Sequence, residues 1–396
     1  MGLAVPAGKR MARLNRHRGE LAWMVVVAVA YYGAAFWINR HSAGDVDRLM
    51  TLASNMFAGH VDLGPVARMN DIVTIDGRNY EAMSLLPVVP YLLFVPFHPL
   101  WSAASWIIPA TVGTIAGWLA LPLARRYGPE GPASYWLAAL GAFGTLLFTQ
   151  AIWGNFYYLA QVEAMLLTFL ALIEWRGRRR PWLVAVCFGL AALARPTVLL
   201  AVIPFGILLL IESKERVRAA VEFAAPILGA LAITAWWDWV RFGSVLETGY
   251  GLSTISPQLA ELRAQGMFSL SHLKSNISLF IGGGFGVSDS LPSMRPNPAG
   301  QSMLLTTPAL LIAVGAGLKS RTSLVMWSAA ALIAIPVFLY YGGGGADTYG
   351  YRYALDFTPF LLVLVAVAAK QRFGALEKTL IAISIGFVTW GFLYVH

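Results

Sequence analysis

Long apolar runs recur along the chain, each closed by a short basic cluster or a Gly/Pro-rich break. They predict eleven helical segments, at about 20–38, 101–124, 131–150, 155–175, 181–194, 196–211, 217–240, 303–318, 323–340, 353–369 and 378–394. Most are near the ~20 residues that, at 1.5 Å each, cross a hydrocarbon layer of ~30 Å. The pattern changes between runs. Residues 47–58 place Leu49, Leu52, Ala53, Met56 and Phe57 on one helical face, which predicts an amphipathic helix lying along the membrane surface. Residues 71–81, DIVTIDGRNYE, alternate around Asp76-Gly77 and predict a β-hairpin. Pro87, Pro90, Pro96 and Pro99 mark 84–99 as a proline-bounded surface helix rather than a crossing.

Composition sharpens this pattern. Of 396 residues, 58% are hydrophobic and only 12% charged, about half the charged share of a soluble domain. One core could not hide that much apolar surface in water. The fold class is therefore an all-α polytopic membrane protein, a single domain over 1–396 with about eleven transmembrane helices, two of them a short hairpin. Cys187 is the only cysteine, so no intrachain disulfide or cysteine metal motif exists; it lies in an apolar run and is expected to pack there.

The net charge of +9 would suggest nucleic acid in a soluble protein. Here position matters more. Nineteen of the 29 basic residues fall in six clusters: Lys9–Arg18, Arg125–Arg126, Arg176–Arg180, Lys214–Arg218, Lys319–Arg321 and Lys370–Lys378. Placed on the cytoplasmic side, these clusters let the segments alternate without conflict and leave the C-terminus outside. The expected location is the plasma (inner) membrane, with membrane lipids as neighbours and no nucleic acid. Residues 181–211 have basic clusters at both ends, and Arg195-Pro196 divides them. Because proline disfavours helix in the residue before it, this stretch reads as a hairpin of short helices with Arg195 at its tip. The basic N-terminus followed by an apolar run without a convincing cleavage site reads as a retained signal anchor.

Three external loops follow, 39–100, 241–302 and 341–352, and long loops in compact proteins commonly carry function. Asp45 and Asp47 open the amphipathic helix. Capping accounts for one acid well and for a second less well, and the pair could hold a hard divalent cation with waters, which is not assumed; the sequence names no certain cofactor. Asn276-Ile277-Ser278 fits a glycosylation sequon, and IGGGFG at 281–286 is a tight loop rather than a nucleotide fingerprint. Arg352 and Asp356 could pair at i, i+4, or Arg352 could bind a ligand phosphate. Arg195 could bind phosphate or hold hairpin carbonyls. Lys274 and Arg295 complete the candidate cations. Glu163, with Gln161 inside an apolar helix, is a functional candidate because an intramembrane acid is costly. Asp76, Arg78, Tyr80, Glu163 and Tyr351 are the candidates for holding sugar or acceptor. The six histidines show no HExxH spacing, and neither GxSxG nor a P-loop is present.

Taken in order, several segments resemble the GT-C superfamily of membrane glycosyltransferases. GDVDRLMTLASNMFAG (44–59) resembles the acidic start of that family's first external loop, and SLLPVVPYLLFVPF (84–97) its Pro-rich helix. LARRYG (123–128), GLAALARPTVLL (189–200), PNPAGQSMLLTTPALL (296–311) and YGYRYALDFTPFLLVL (349–364) resemble later family segments. The resemblance implies a sugar donor on a polyprenyl or dolichyl phosphate, an extracytoplasmic acceptor (glycan, glycolipid or protein) and inversion at the anomeric carbon. It also implies a first-loop Asp as general base, which maps to Asp45. Val46 separates it from Asp47, a departure that puts the role of Asp47 in doubt. A carboxylate can take the acceptor proton, and cations must stabilise the departing phosphate, with Arg352 first and Arg195 second. A transporter or flippase of a lipid-linked sugar is the alternative. It would more often show inverted repeats and several interrupted helices, and a pure scaffold leaves GDVD unexplained.

Overall fold

A computed structural model of the chain describes residues 7–40, 47–65, 70–154, 156–287, 294–295, 297, 300–345 and 349–394. Fifteen α-helices are present among them. The first part of the chain forms α1 (Ala7–Asn39), α2 (Arg48–Phe57), α3 (Trp101–Tyr127), α4 (Pro132–Phe143), α5 (Leu146–Ile152) and α6 (Phe156–Arg176). Next come α7 (Pro181–Ala194), α8 (Val202–Glu212), α9 (Arg216–Phe242), α10 (Pro257–Ala264) and α11 (Leu273–Gly282). The last are α12 (Met303–Thr306), α13 (Arg321–Leu339), α14 (Thr358–Gln371) and α15 (Ala375–Tyr394). 3₁₀ turns lie at Pro196–Ala201, Pro308–Ala316 and Arg352–Asp356. The expected apolar segments each coincide with a helix, a helix joined to a 3₁₀ turn or, for 131–150, a bent pair of helices.

Six helices are long and apolar enough to cross a membrane, or seven if the bent pair α4–α5 forms one span. The sequence reading of eleven crossings is thus not reproduced at that count. Segment 131–150 breaks at Gly144-Thr145 with a 48° bend. Thr145 takes the N-cap of α5, its hydroxyl accepting from the Leu147 N–H. Segments 181–194, 196–212 and 358–371 are short apolar helices. The outward faces of α1 and α9 remain apolar and exposed, at Val25, Val29, Leu228, Trp236 and Trp239 among others, as lipid contact requires.

The basic clusters gather at one end of the bundle. Glu20 of α1 meets Arg125 of α3, and Glu212 of α8 meets both Arg179 and Arg321, at 2.5 and 2.9 Å. The Arg179–Glu212 contact also ties the start of α7 to the end of α8, so residues 181–212 do return on themselves as a hairpin, turning at Arg195-Pro196. The C-terminal ends of α7, α9 and α13 therefore lie at the opposite end.

The segments between α1 and α3 and between α9 and α12 cover that opposite end. Two short strands, β1 (Ile72–Ile75) and β2 (Arg78–Glu81), pair antiparallel across Asp76-Gly77, whose φ values of +50° and +76° suit a primed turn. The second loop joins this hairpin through the Thr254 N–H, which donates to the Ile72 carbonyl at 2.9 Å. It then reaches the end of α13, where the Ser269 N–H donates to the Leu339 carbonyl at 2.9 Å. The Asn276 side chain is buried and donates to the Phe338 and Tyr340 carbonyls, so its amide serves the fold. Gly282 and Gly283 close α11.

Candidate functional site

A cavity of about 330 Å³ lies at the end of the bundle away from the basic clusters. Its walls come from the first loop (Asp71, Ala82–Leu85), the start of α6 (Tyr157, Ala160) and the α7–Pro196 break. The C-terminal turns of α9 and α13, the second loop (Thr248, Tyr250, Met267, Phe268) and Arg352-Tyr353 complete them. Three arginines, Arg195, Arg241 and Arg352, and two aspartates, Asp71 and Asp238, stand among largely apolar and aromatic neighbours.

Each arginine is held differently. Arg195 reaches the cavity because Pro196 ends α7 and leaves it in extended backbone. Its Nε and Nη2 donate to Asp356 at 3.0–3.2 Å, and the Thr197 hydroxyl donates to the same carboxylate. Asp356 is thus taken by Arg195, and the Arg352–Asp356 pair, one of the two readings the sequence leaves open, is not formed. Residues 352–356 form a 3₁₀ turn, in which positions three apart eclipse and positions four apart diverge. Arg352 instead donates from Nη2 to the Tyr353 hydroxyl at 3.0 Å and sits over the rings of Tyr353 and Tyr158, at 4.9 and 5.4 Å. Among the described residues it forms no ion pair, and its buried Nε has no hydrogen-bond partner. Arg241 is a fastener. It pairs with Asp238 at 2.8 Å and donates to the carbonyls of Glu81 and Met83 at 2.6 and 3.0 Å, which pins the first loop to α9.

Asp71 enters from the first loop just before β1. Burial raises its carboxyl above the ordinary range, against the pull of Arg48 and Arg352 and a hydrogen bond with Tyr157. Beside it, Glu81 lies 3.4 Å from Arg48 and is almost fully buried. Burial outweighs that guanidinium and pushes Glu81 up to about 8.

The candidates read from sequence separate in space. Arg195 and Arg352 meet at the cavity. Asp45 lies outside the described residues. Asp47 is the N-cap of α2, its carboxylate accepting from the Leu49 N–H at 2.8 Å and the Tyr91 hydroxyl at 2.9 Å, and it does not line the cavity. Asp76 and Arg78 are exposed at the hairpin tip, whereas Tyr80 packs edge-on against Phe242. Lys274 is exposed on α11, and Arg295 falls in a two-residue strand opposite Gly286. Glu163 is buried within α6, its Oε2 without a partner among the described residues. Tyr351 is fully buried against Phe280 and Phe338. Among the described residues, no group of three or more His, Cys, Asp or Glu is placed to hold a metal ion.

Asp71, Tyr157, Trp237, Arg241, Tyr250 and Tyr353 were not singled out by sequence. In the sequence Asp71 only opens the alternating stretch 71–81, and Arg241 stands at the junction of an apolar segment and a loop, so neither carries a local signal of a site. No protein-family model matches the chain, and no curated protein matches it.

Proposed function

We propose that the protein is an inverting glycosyltransferase that moves a sugar from a polyprenyl-phosphate donor to a hydroxyl-bearing acceptor at the external face of a membrane. The observation that carries this reading is Arg352. A half-buried guanidinium at a cavity wall, its Nε buried and with no ion-pair partner among the described residues, carries a desolvation cost that a bound anion offsets. Its planar fork suits phosphate oxygens. Arg195 is already matched by Asp356 and adds no net charge there.

The aromatic and apolar walls around Trp237, Tyr250 and Tyr340 suit the faces of a sugar ring and the first units of a prenyl chain. Transfer forms a bond from the acceptor oxygen to the anomeric carbon as the bond from that carbon to the phosphate oxygen breaks. The leaving phosphate then carries the charge that Arg352 is placed to receive.

The purified protein should consume at least one member of a radiolabelled panel of polyprenyl-phosphate-linked mannose, glucose and arabinose, with extracted envelope lipids and glycans as acceptors. Inertness toward the whole panel, with the protein folded, would count against the reading.

A further inference from the structure

At the basic end of the bundle, opposite the cavity, several arginines are already held by acids. Arg16 and Arg125 share Glu20, Arg180 is held by Glu174, and Arg218 by Glu215 and Glu222. Arg126 in the last turn of α3 and Arg176 in the last turn of α6 are exposed and form no ion pair among the described residues.

These two converge with a third. Tyr127 is buried, its hydroxyl donating to the Leu172 carbonyl at 2.8 Å, and the charges of Arg176, Arg126 and Arg179 all act on it. Arg126 Nη1 lies against Gly177, in the space where a side chain there would begin. Arg179 lies over the Trp175 ring, 4.2 Å from its centre, with Nη1 on Glu212. Its Nε and Nη2 are buried and have no hydrogen-bond partner among the described residues. Unmet donors of this kind are costly. Turning the fork outward about the Glu212 contact breaks no other hydrogen bond among the described residues, and 35% of the side chain is already exposed.

The backbone adds a second sign. Arg179 has a φ of +57°, and its N–H donates to the Glu174 carbonyl at 2.9 Å to close α6. Glycine or asparagine closes a helix in this conformation at lower cost, and strain of this kind gathers at functional positions. Depth is marked by Trp182, exposed at the start of α7 with Arg180 5.9 Å over its ring. Tryptophan is enriched where hydrocarbon meets headgroups.

We infer that Arg126, Arg176 and Arg179 form a binding site for the phosphate of an anionic phospholipid headgroup. Planar forks suit phosphate oxygens, and basic pockets between membrane helices hold anionic headgroups. The two carboxylates nearby are already offset, Glu174 by Arg180 and Glu212 by Arg179 with Arg321. Arg178, exposed on the same turn, adds to the field. A headgroup is favoured over free phosphate because Trp182 sets the site at the depth where headgroups lie.

The test uses the full chain in detergent micelles doped with phosphatidylglycerol or with phosphatidylcholine of the same acyl chains, bound lipid being counted by native mass spectrometry. Phosphatidylglycerol should be held about tenfold more tightly, because choline offsets the phosphate charge of the other lipid. The double variant Arg126→Gln with Arg176→Gln breaks no ion pair among the described residues and should lose about tenfold or more of that affinity. Arg179→Lys keeps the charge without the fork and should lose about threefold. Lys370→Gln with Lys378→Gln removes the same charge from α14 and α15 at the same end and should stay within about threefold of the parent. Equal retention of the two lipids would overturn the site, as would an unchanged Arg126/Arg176 variant. Equal losses in the two double variants would also overturn it, since they mean diffuse attraction by the basic end. Full displacement of phosphatidylglycerol by millimolar inorganic phosphate would assign the site to free phosphate and remove the lipid.

Discussion

Arg195 and Asp356, 161 residues apart, form a two-pronged ion pair at the cavity, although Arg352 stands only four residues from the same aspartate. Among the described residues this pairing leaves Arg195 matched and Arg352 without an ion-pair partner, and it separates their expected effects.

Removing one member of the matched pair strands a buried charge, which costs about 3–5 kcal/mol. Asp356→Ala should therefore lower the thermal transition of the detergent-solubilised protein sharply. Asp356→Asn, which can still bond to Thr197 and Arg195, should lower it less. Equal transitions for parent and Asp356→Ala would mean that Arg195 finds water or another partner.

Arg352 should behave in the opposite way. Replacing by Met a half-buried cation with no ion-pair partner among the described residues removes a desolvation cost, so Arg352→Met should keep or raise the thermal transition. Its affinity for polyprenyl phosphate should fall about tenfold or more, and Arg352→Lys should recover only part of that loss because it lacks the fork. Binding measured by filter retention of labelled polyprenyl phosphate decides the point.

Arg241 joins α9 to the first loop through the Glu81 and Met83 carbonyls. Arg241→Ala leaves these acceptors and Asp238 without their donor, at a cost of about 3 kcal/mol or more. The first loop should become a preferred site of limited proteolysis, with cleavage appearing at protease levels that spare the parent.

Glu81 gives a pH dependence with a defined sign. Burial raises its folded pKa from 4.5 to about 8, so the folded state keeps a proton that the unfolded state has lost. Its contribution to stability is full below the unfolded value and is lost as pH rises through about 8. Asp47, pushed up by burial to about 6, adds the same trend over a lower range. The thermal transition should fall between pH 5 and 9 (about the interval over which these groups titrate). Glu81→Gln, a permanently uncharged replacement, should flatten the upper part of that fall. An unchanged slope would place the titration elsewhere.

Much of the fold was legible in the sequence because it is set locally. Apolar run length marks the helices, basic clusters mark one bundle end, Pro196 marks the hairpin break, and Asp76-Gly77 marks the turn. Each signal acts within a few residues, through hydrogen-bond geometry, proline sterics or the cost of moving charge through hydrocarbon. Helix bending at Gly144-Thr145 was not legible, since an apolar run reads the same straight or bent.

The site was decided by tertiary structure. Periodicity names the face a residue occupies and carries no information about which distant face it meets. Asp356 belongs to Arg195 rather than Arg352 because the α7–Pro196 break packs beside the 352–356 turn. Asp71 faces a cavity because the Thr254 carbonyl fixes it between two loops nearly two hundred residues apart in sequence. Local chemistry thus determined the elements and the end where charge collects. Long-range packing alone determined which of the described acids and arginines there pair with one another.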